Sequence, residues 1–267
     1  MRKVVQYYKR LPANEFHQLF HEISLFEYLL WWLLRIGMII GVTRLFLSKQ
    51  EPFIFCLTVL GNLAMTFSVA LLRLIFPKSF FLGRLPYTIQ RYINISVLAG
   101  SFFGHIIPLY HIPNYDKILH FVGGFFVVFI GYDLMRCMKH DNRLISPFIS
   151  SLGGFGFSCF LVIGWEMFEF FADFYIAGSN NQAYNLPLDP NNNIYKIFGL
   201  GAINEGQAAV HDTMFDMIIG LMGAILGAIV LRLYVRFLNE KRLTKPFSGD
   251  ELRWEKADKI KDNSMII

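Results

Sequence analysis

Asp, Glu, Lys and Arg are missing altogether from three stretches of this chain, residues 53–72, 92–115 and 144–165. Each is long enough to cross a hydrocarbon core of about 30 Å as a helix rising about 1.5 Å per residue. A soluble domain rarely carries several such stretches, so a soluble globular fold is excluded. Cysteine is scarce too. Cys56, Cys137 and Cys159 lie in or beside apolar runs with no CxxC or metal-type spacing, so they read as small apolar fillers. The chain has no nucleic-acid-binding motif. Its net charge of +5 comes from basic residues clustered between apolar runs, which is how membrane topology is encoded, and no nucleic-acid partner is expected. There is no internal repeat and no low-complexity tract. The basic start is followed by a mixed segment rather than a short apolar core, so no cleavable signal peptide is expected. The ending "SMII" fits no lipidation signal.

What is present is apolar: 54% of the residues are hydrophobic and 28 are Phe. The expected fold class is all-α, a polytopic transmembrane helix bundle of about six spans, roughly 26–47, 53–75, 92–112, 116–136, 147–172 and 212–236. Arg35 and Arg44 interrupt the first. The expected organisation is an N-terminal amphipathic, interfacial segment over 1–25, a transmembrane helical domain over 26–237 and a charged cytoplasmic tail over 238–267. The N-terminal segment places Phe16, Leu19, Phe20 and Ile23 on one helical face, with His17 and His21 as ordinary polar-face residues.

Basic residues alternate by loop. Arg2, Lys3, Lys9 and Arg10 precede the first span, and Lys78, Arg84 and Arg91 lie between the second and third. Arg136, Lys139 and Arg143 lie between the fourth and fifth, and Arg232, Arg236, Lys241, Arg242 and Lys245 follow the sixth. The remaining loops carry only Lys49, Lys117 and Lys196. An excess of Lys and Arg on the cytoplasmic side therefore predicts cytoplasmic N- and C-termini and an external loop over 173–211.

Spans four and six are too short without their charged ends. Residues 118–132 and 217–231 are uncharged, only about 22 Å of helix each. The fourth span must therefore begin near Asp116 and include His120, and the sixth must begin near Asp212 and include Asp216. Both pairs are spaced i, i+4 on a single face. Glu166, Glu169 and Asp173 share a stripe at the outward end of the fifth. With the orientation above, three helices deliver acids and a histidine to one layer near the outer surface, and His105 and His111 are close enough in sequence depth to join them. Ionisable groups in a membrane segment cost about 2.5–3.5 kcal/mol each at its centre and face protein or water. Several carboxylates at one depth repel unless protonated or bridged by a cation.

The candidate metal ligands are therefore Asp116, His120, Glu166, Glu169, Asp212 and Asp216, a set that suits Zn, Mn or Mg. The candidate catalytic residues are Glu166, Glu169 and His120. Taken singly, Asp116 and Asp212 are equally explained as helix N-caps and His120 as a hydrogen-bonded interior histidine. Glu166 and Glu169 cannot cap the start of their own helix. Gly220, Gly223 and Gly227 continue the Asp212/Asp216 stripe and Gly123 and Gly124 follow His120, positions that suit close helix packing.

The motifs "DKILHFVGG", "WEMFE" and "HDTMFDMIIGLMGA" resemble those of the YjdF-like bacterial inner-membrane proteins and, more distantly, VanZ-like proteins. The resemblance covers about residues 50–236 and implies a multi-pass protein of the bacterial inner (plasma) membrane. It points to Asp116, His120, Glu166, Glu169, Asp212 and Asp216, and to no particular reaction. Gly220 stands where an Asn would be expected in the last motif.

Three functions fit these residues. One is a metal-assisted hydrolase or transferase acting on a lipid-linked or envelope substrate, with membrane lipid or a small periplasmic molecule as partner. The second is a proton- or cation-coupled transporter, which would favour midplane polar groups and interrupted helices. The third is a structural or signalling membrane protein whose acids only cap and pair.

Overall fold

The computed structural model describes residues 19–20, 22–48, 53–138, 145–176 and 208–244, and the regular elements among them are all helical. Most of the N-terminal segment, most of the loop over 173–211 and the tail beyond residue 244 lie outside the described residues. The first long helix, α1, spans Leu25–Ser48. It starts where the Ser24 hydroxyl accepts the Glu27 N–H at 3.1 Å, the N-terminal half of a capping box. Next come α2 (Phe53–Met65) and α3 (Ser68–Ile75). Helix α4 (Tyr87–Val97) continues as a π-helical stretch, Leu98–Ile106. The last three are α5 (Tyr115–Met138), α6 (Pro147–Tyr175) and α7 (Ala208–Thr244).

Among the described residues, four helical segments are long and apolar enough to cross a membrane: Leu25–Leu47, Tyr115–Met138, Pro147–Tyr175 and Ala209–Asn239. The α2–α3 pair would be a fifth, bent by 56°. A continuous helix over 53–75 is not what forms. The chain breaks at Thr66 and Phe67, whose N–H groups bond three residues back, to Leu63 and Ala64, at 3.1 and 3.0 Å. The groups released there are met by side chains from other helices. Arg35 donates to Thr66 Oγ1 at 3.1 Å and to the Thr66 carbonyl at 2.5 Å. Gln90 accepts the Val69 N–H at 2.9 Å and donates to the Met65 carbonyl at 3.1 Å. Irregular backbone is tolerated at membrane depth only where such partners exist. Arg35, an interruption in the first span when read alone, is here a partner for the interruption in the second.

The segment expected over 92–112 is displaced. Its helix begins directly after Pro86 and ends at Ile106, two residues short of Pro108. Proline fixes φ and lacks an N–H, which suits it to helix starts and excludes it from interiors. The shift brings Gln90 and Arg91 inside the helix.

Helices α5, α6 and α7 form a tightly packed unit around Val128, Ala224, Leu231 and Val235. Small residues let the backbones touch. A Cβ on Gly124 would strike the Gly220 carbonyl, one on Gly223 would strike the Phe121 carbonyl, and one on Gly227 would lie 2.7 Å from the Phe125 carbonyl. Gly123 faces open space, so only one of the two adjacent glycines belongs to this seam. Helices α1–α4 pack through two apolar clusters. One is Leu34, Met38, Val42, Cys56, Val59 and Val97; the other is built around Trp31, Val69, Leu85 and Ile89 and includes Cys137 of α5.

Candidate functional site

Helix α5 starts after Asn114, whose φ of 64° is a left-handed turn that Asn tolerates. The turn sets Asp116, Lys117 and His120 in the first two turns. Helix α7 brings Asp212 and Asp216, one turn apart, against them, and α6 brings Glu166 and Glu169. His120 stands between two groups of acids. Its Nε2 is 3.7 Å from Asp116 Oδ1 and 3.8 Å from Asp216 Oδ1, and its Nδ1 is 3.5 Å from Glu166 Oε1. Two sets therefore offer ligand atoms that all lie within 4.8 Å of one another: Asp116, His120 and Asp216, and His120, Glu166 and Glu169.

Burial deepens across the site. The Asp116 side chain is 40% exposed, whereas those of His120, Glu166 and Asp216 are 8%, 4% and 2% exposed. Asp216 Oδ1 is buried and accepts no hydrogen bond among the described residues, a costly state for a carboxylate oxygen. Glu169 Oε1 accepts the Trp165 indole N–H at 2.7 Å, which fixes that carboxylate from the bundle surface.

The residue that sequence reasoning missed is Lys117. Its ammonium donates to Asp212 Oδ1 at 2.5 Å and Asp216 Oδ2 at 2.7 Å and lies 3.6 Å from Asp116 Oδ2. Counted as a loop charge it says nothing. It shares a helix face with Phe121, one turn on, whose carbonyl packs on Gly223 of α7, and nothing in its own stretch of sequence marks that face. Capping does not account for the aspartates: Asp116 is inside α5, and Asp212 is in the second turn of α7.

All six sequence-nominated ligands come together at this end. Asp173, a turn beyond Glu169, is in neither set. His105 and His111 do not join: His105 Nδ1 lies 3.1 Å from the Gly100 carbonyl and its ring packs edge-on to Tyr110, while His111 is exposed. Gly220, where an Asn would be expected, is a close contact. A Cβ there would already sit 3.1 Å from both methyl groups of Val162.

A family model described as "Predicted membrane protein (DUF2238)" matches residues 29–237. The chain belongs to that family. The region shared with DUF2238 begins in α1, ends in α7 and contains every residue of the site. No curated protein and no solved structure matches the chain.

Proposed function

We propose that this DUF2238 protein binds one divalent metal ion, Zn, Mn or Mg, at His120, Glu166 and Glu169 and uses it on a lipid-linked or envelope substrate at the outer face of a bacterial inner membrane. The reading includes six spans, cytoplasmic termini and kinship with YjdF-like proteins, and it follows the alternating Lys/Arg clusters and the motifs already quoted. One observation carries it: His120 has carboxylates on both ring nitrogens at 3.5–3.8 Å. Two ligands about 2.1 Å from a tetrahedral ion stand about 3.4 Å apart, and the 3.5 Å between Nδ1 and Glu166 suits that coordination.

The two nitrogens divide the work. Lys117 already offsets the acids on the Nε2 side, so an ion is drawn to Nδ1, Glu166 and Glu169. Nε2–H then faces Asp116 and Asp216, the carboxylate–histidine–metal arrangement that fixes a ring and raises its basicity. An ion held there by His120, Glu166 and Glu169 would supply Lewis acidity, lowering the pKa of a bound water or polarising a phosphoryl or carbonyl oxygen. The exposed aromatic face of α6, with Trp165, Phe168, Phe171 and Tyr175, is suited to the membrane interface and to an amphiphilic substrate.

Elemental analysis of the purified chain tests this. One equivalent of divalent metal is expected, lost in His120→Ala while helical circular dichroism is retained. Protein that stays metal-free after exposure to all three ions ends the metal and the enzyme readings together. Cation-coupled transport is the second reading, favoured by the interruption at Thr66–Phe67. It would be recognised by pH-driven flux in liposomes without substrate turnover.

A further inference from the structure

Outside the acidic site, Arg35 is a buried cation whose partners among the described residues are neutral. Arg35 is 6% exposed and lies about ten residues along α1, about 15 Å from its start. Unlike Arg91 and Arg136, which meet Glu27 and Asp133, it has no carboxylate within ion-pair distance among the described residues. Its hydrogen bonds go to Thr66 alone, through Nε and Nη2. The Phe67 ring centroid lies 4.0 Å from the guanidinium carbon and the Trp32 ring 5.2 Å from it, and the two rings meet edge to face on one side of the group. Nη1 donates to none of the described residues. That Nη edge offers its N–H groups in the guanidinium plane, the geometry in which arginine takes oxyanions.

The polar groups beside Arg35 are also short of acceptors. The orientation of Gln90 is fixed by two backbone groups, Val69 N–H on Oε1 and the Met65 carbonyl on Nε2. Its Nε2 therefore donates to Asn94 Oδ1, at 2.9 Å, which turns the Asn94 amide nitrogen away as a donor. That nitrogen, in a side chain of a residue only 4% exposed, has no acceptor among the described residues, and among them the buried Ser68 hydroxyl at the start of α3 has no partner either. A guanidinium edge, an amide N–H and a hydroxyl, all able to donate, thus come from three helices linked by hydrogen bonds at one helix break. Buried donors and charges in the membrane persist only when something answers them.

We propose that the α2–α3 break, with Arg35 and Asn94, is a binding site for an oxyanion, a carboxylate or phosphate group, distinct from the acidic site at the Tyr115 end. The excess of donors and the positive charge exclude a cation. The inference is independent of the metal reading, since no residue is shared.

The test is thermal unfolding of the full chain in nanodiscs at constant ionic strength. One arm titrates inorganic phosphate or acetate against chloride in phosphatidylcholine discs; the other adds phosphatidylglycerol to the discs. A saturable rise in Tm in either arm, absent in Arg35→Gln, supports the site, and the arm that responds tells a soluble anion from a lipid headgroup. No rise in either arm, or the same rise in Arg35→Gln, overturns it. Should Arg35→Gln fail to fold, Asn94→Asp keeps the arginine and supplies a carboxylate beside it. It should be at least as stable as the parent without anion and should no longer respond to anion. An unchanged response in Asn94→Asp overturns the proposal.

Discussion

Near the Met138 end of α5, carboxylates and arginines meet in matched pairs; at the Tyr115 end, five carboxylates crowd one lysine and one histidine. The first region is stitched across helices. Arg91 grips Glu27 with two bonds of 2.6 and 2.8 Å, Asp133 takes the Thr88 hydroxyl at 2.6 Å and Arg136 at 3.3 Å, and Glu22 accepts the Tyr87 N–H at 2.6 Å. Asp133 and Asp116 are about 25 Å apart along the helix, close to the thickness of a hydrocarbon core. Both regions therefore sit where polar groups are cheapest, and depth does not separate them. Balance does. The paired end sets Arg91 and Arg136 each against a carboxylate, whereas the acidic end sets five carboxylates around Lys117 and His120.

The largest break in this comparison should come from Lys117→Met. Removing one partner of a buried ion pair costs about 3–5 kcal/mol, and here it leaves Asp212 and Asp216 facing each other. The loss should appear in thermal or denaturant unfolding in detergent and be partly recovered by Zn or Mn. A loss under about 1 kcal/mol would mean that these acids carry protons, and the contrast of charge between the two ends would collapse.

Gly223→Val should cost about 1–3 kcal/mol by overpacking, because its side chain has the Phe121 carbonyl in its way. The Arg91–Glu27 end, away from this contact, should keep its hydrogen-exchange protection while the acidic end loosens. Equal loosening of both ends would show the bundle to be a single cooperative block.

Trp165→Phe removes the indole donor to Glu169 Oε1 and should lower metal affinity about tenfold, the lower range for loss of an outer-shell bond, with stability nearly unchanged. Competition against a chelator measures it. Unaltered affinity would take Glu169 out of the ligand set.

The smallest effect is expected from Glu27→Gln at the paired end. That pair is partly exposed, 36% and 20% by side chain, and such bridges are worth under about 1 kcal/mol. A larger loss than that of Lys117→Met would invert the ranking of the two ends.

The acidic end was legible because its information is local. Asp116/His120 and Asp212/Asp216 carry i, i+4 spacing in the sequence, and span length pinned their depth. Lys117 was not legible, since its role depends on α7, nearly a hundred residues away. The break at Thr66–Phe67 was hidden for the same reason. "MTFSVA" contains neither Pro nor Gly, and what holds it open comes from Arg35 and Gln90 on other helices. The π-helical turn over Leu98–Ile106 likewise has no marker in its own residues.

The glycine seam between α5 and α7 has a consequence for tolerance. Where helices meet through interlocking side chains, each rotamer adds its own scatter to the relative height of the two. Gly124, Gly220 and Gly223 meet carbonyls and each other with no side chain between, so that scatter is absent from the joint. His120 lies one turn from Gly124, and Asp216 one turn from Gly220. Their separation is thus gauged from backbone to backbone, and the histidine and the aspartate are aligned before any ion or substrate arrives.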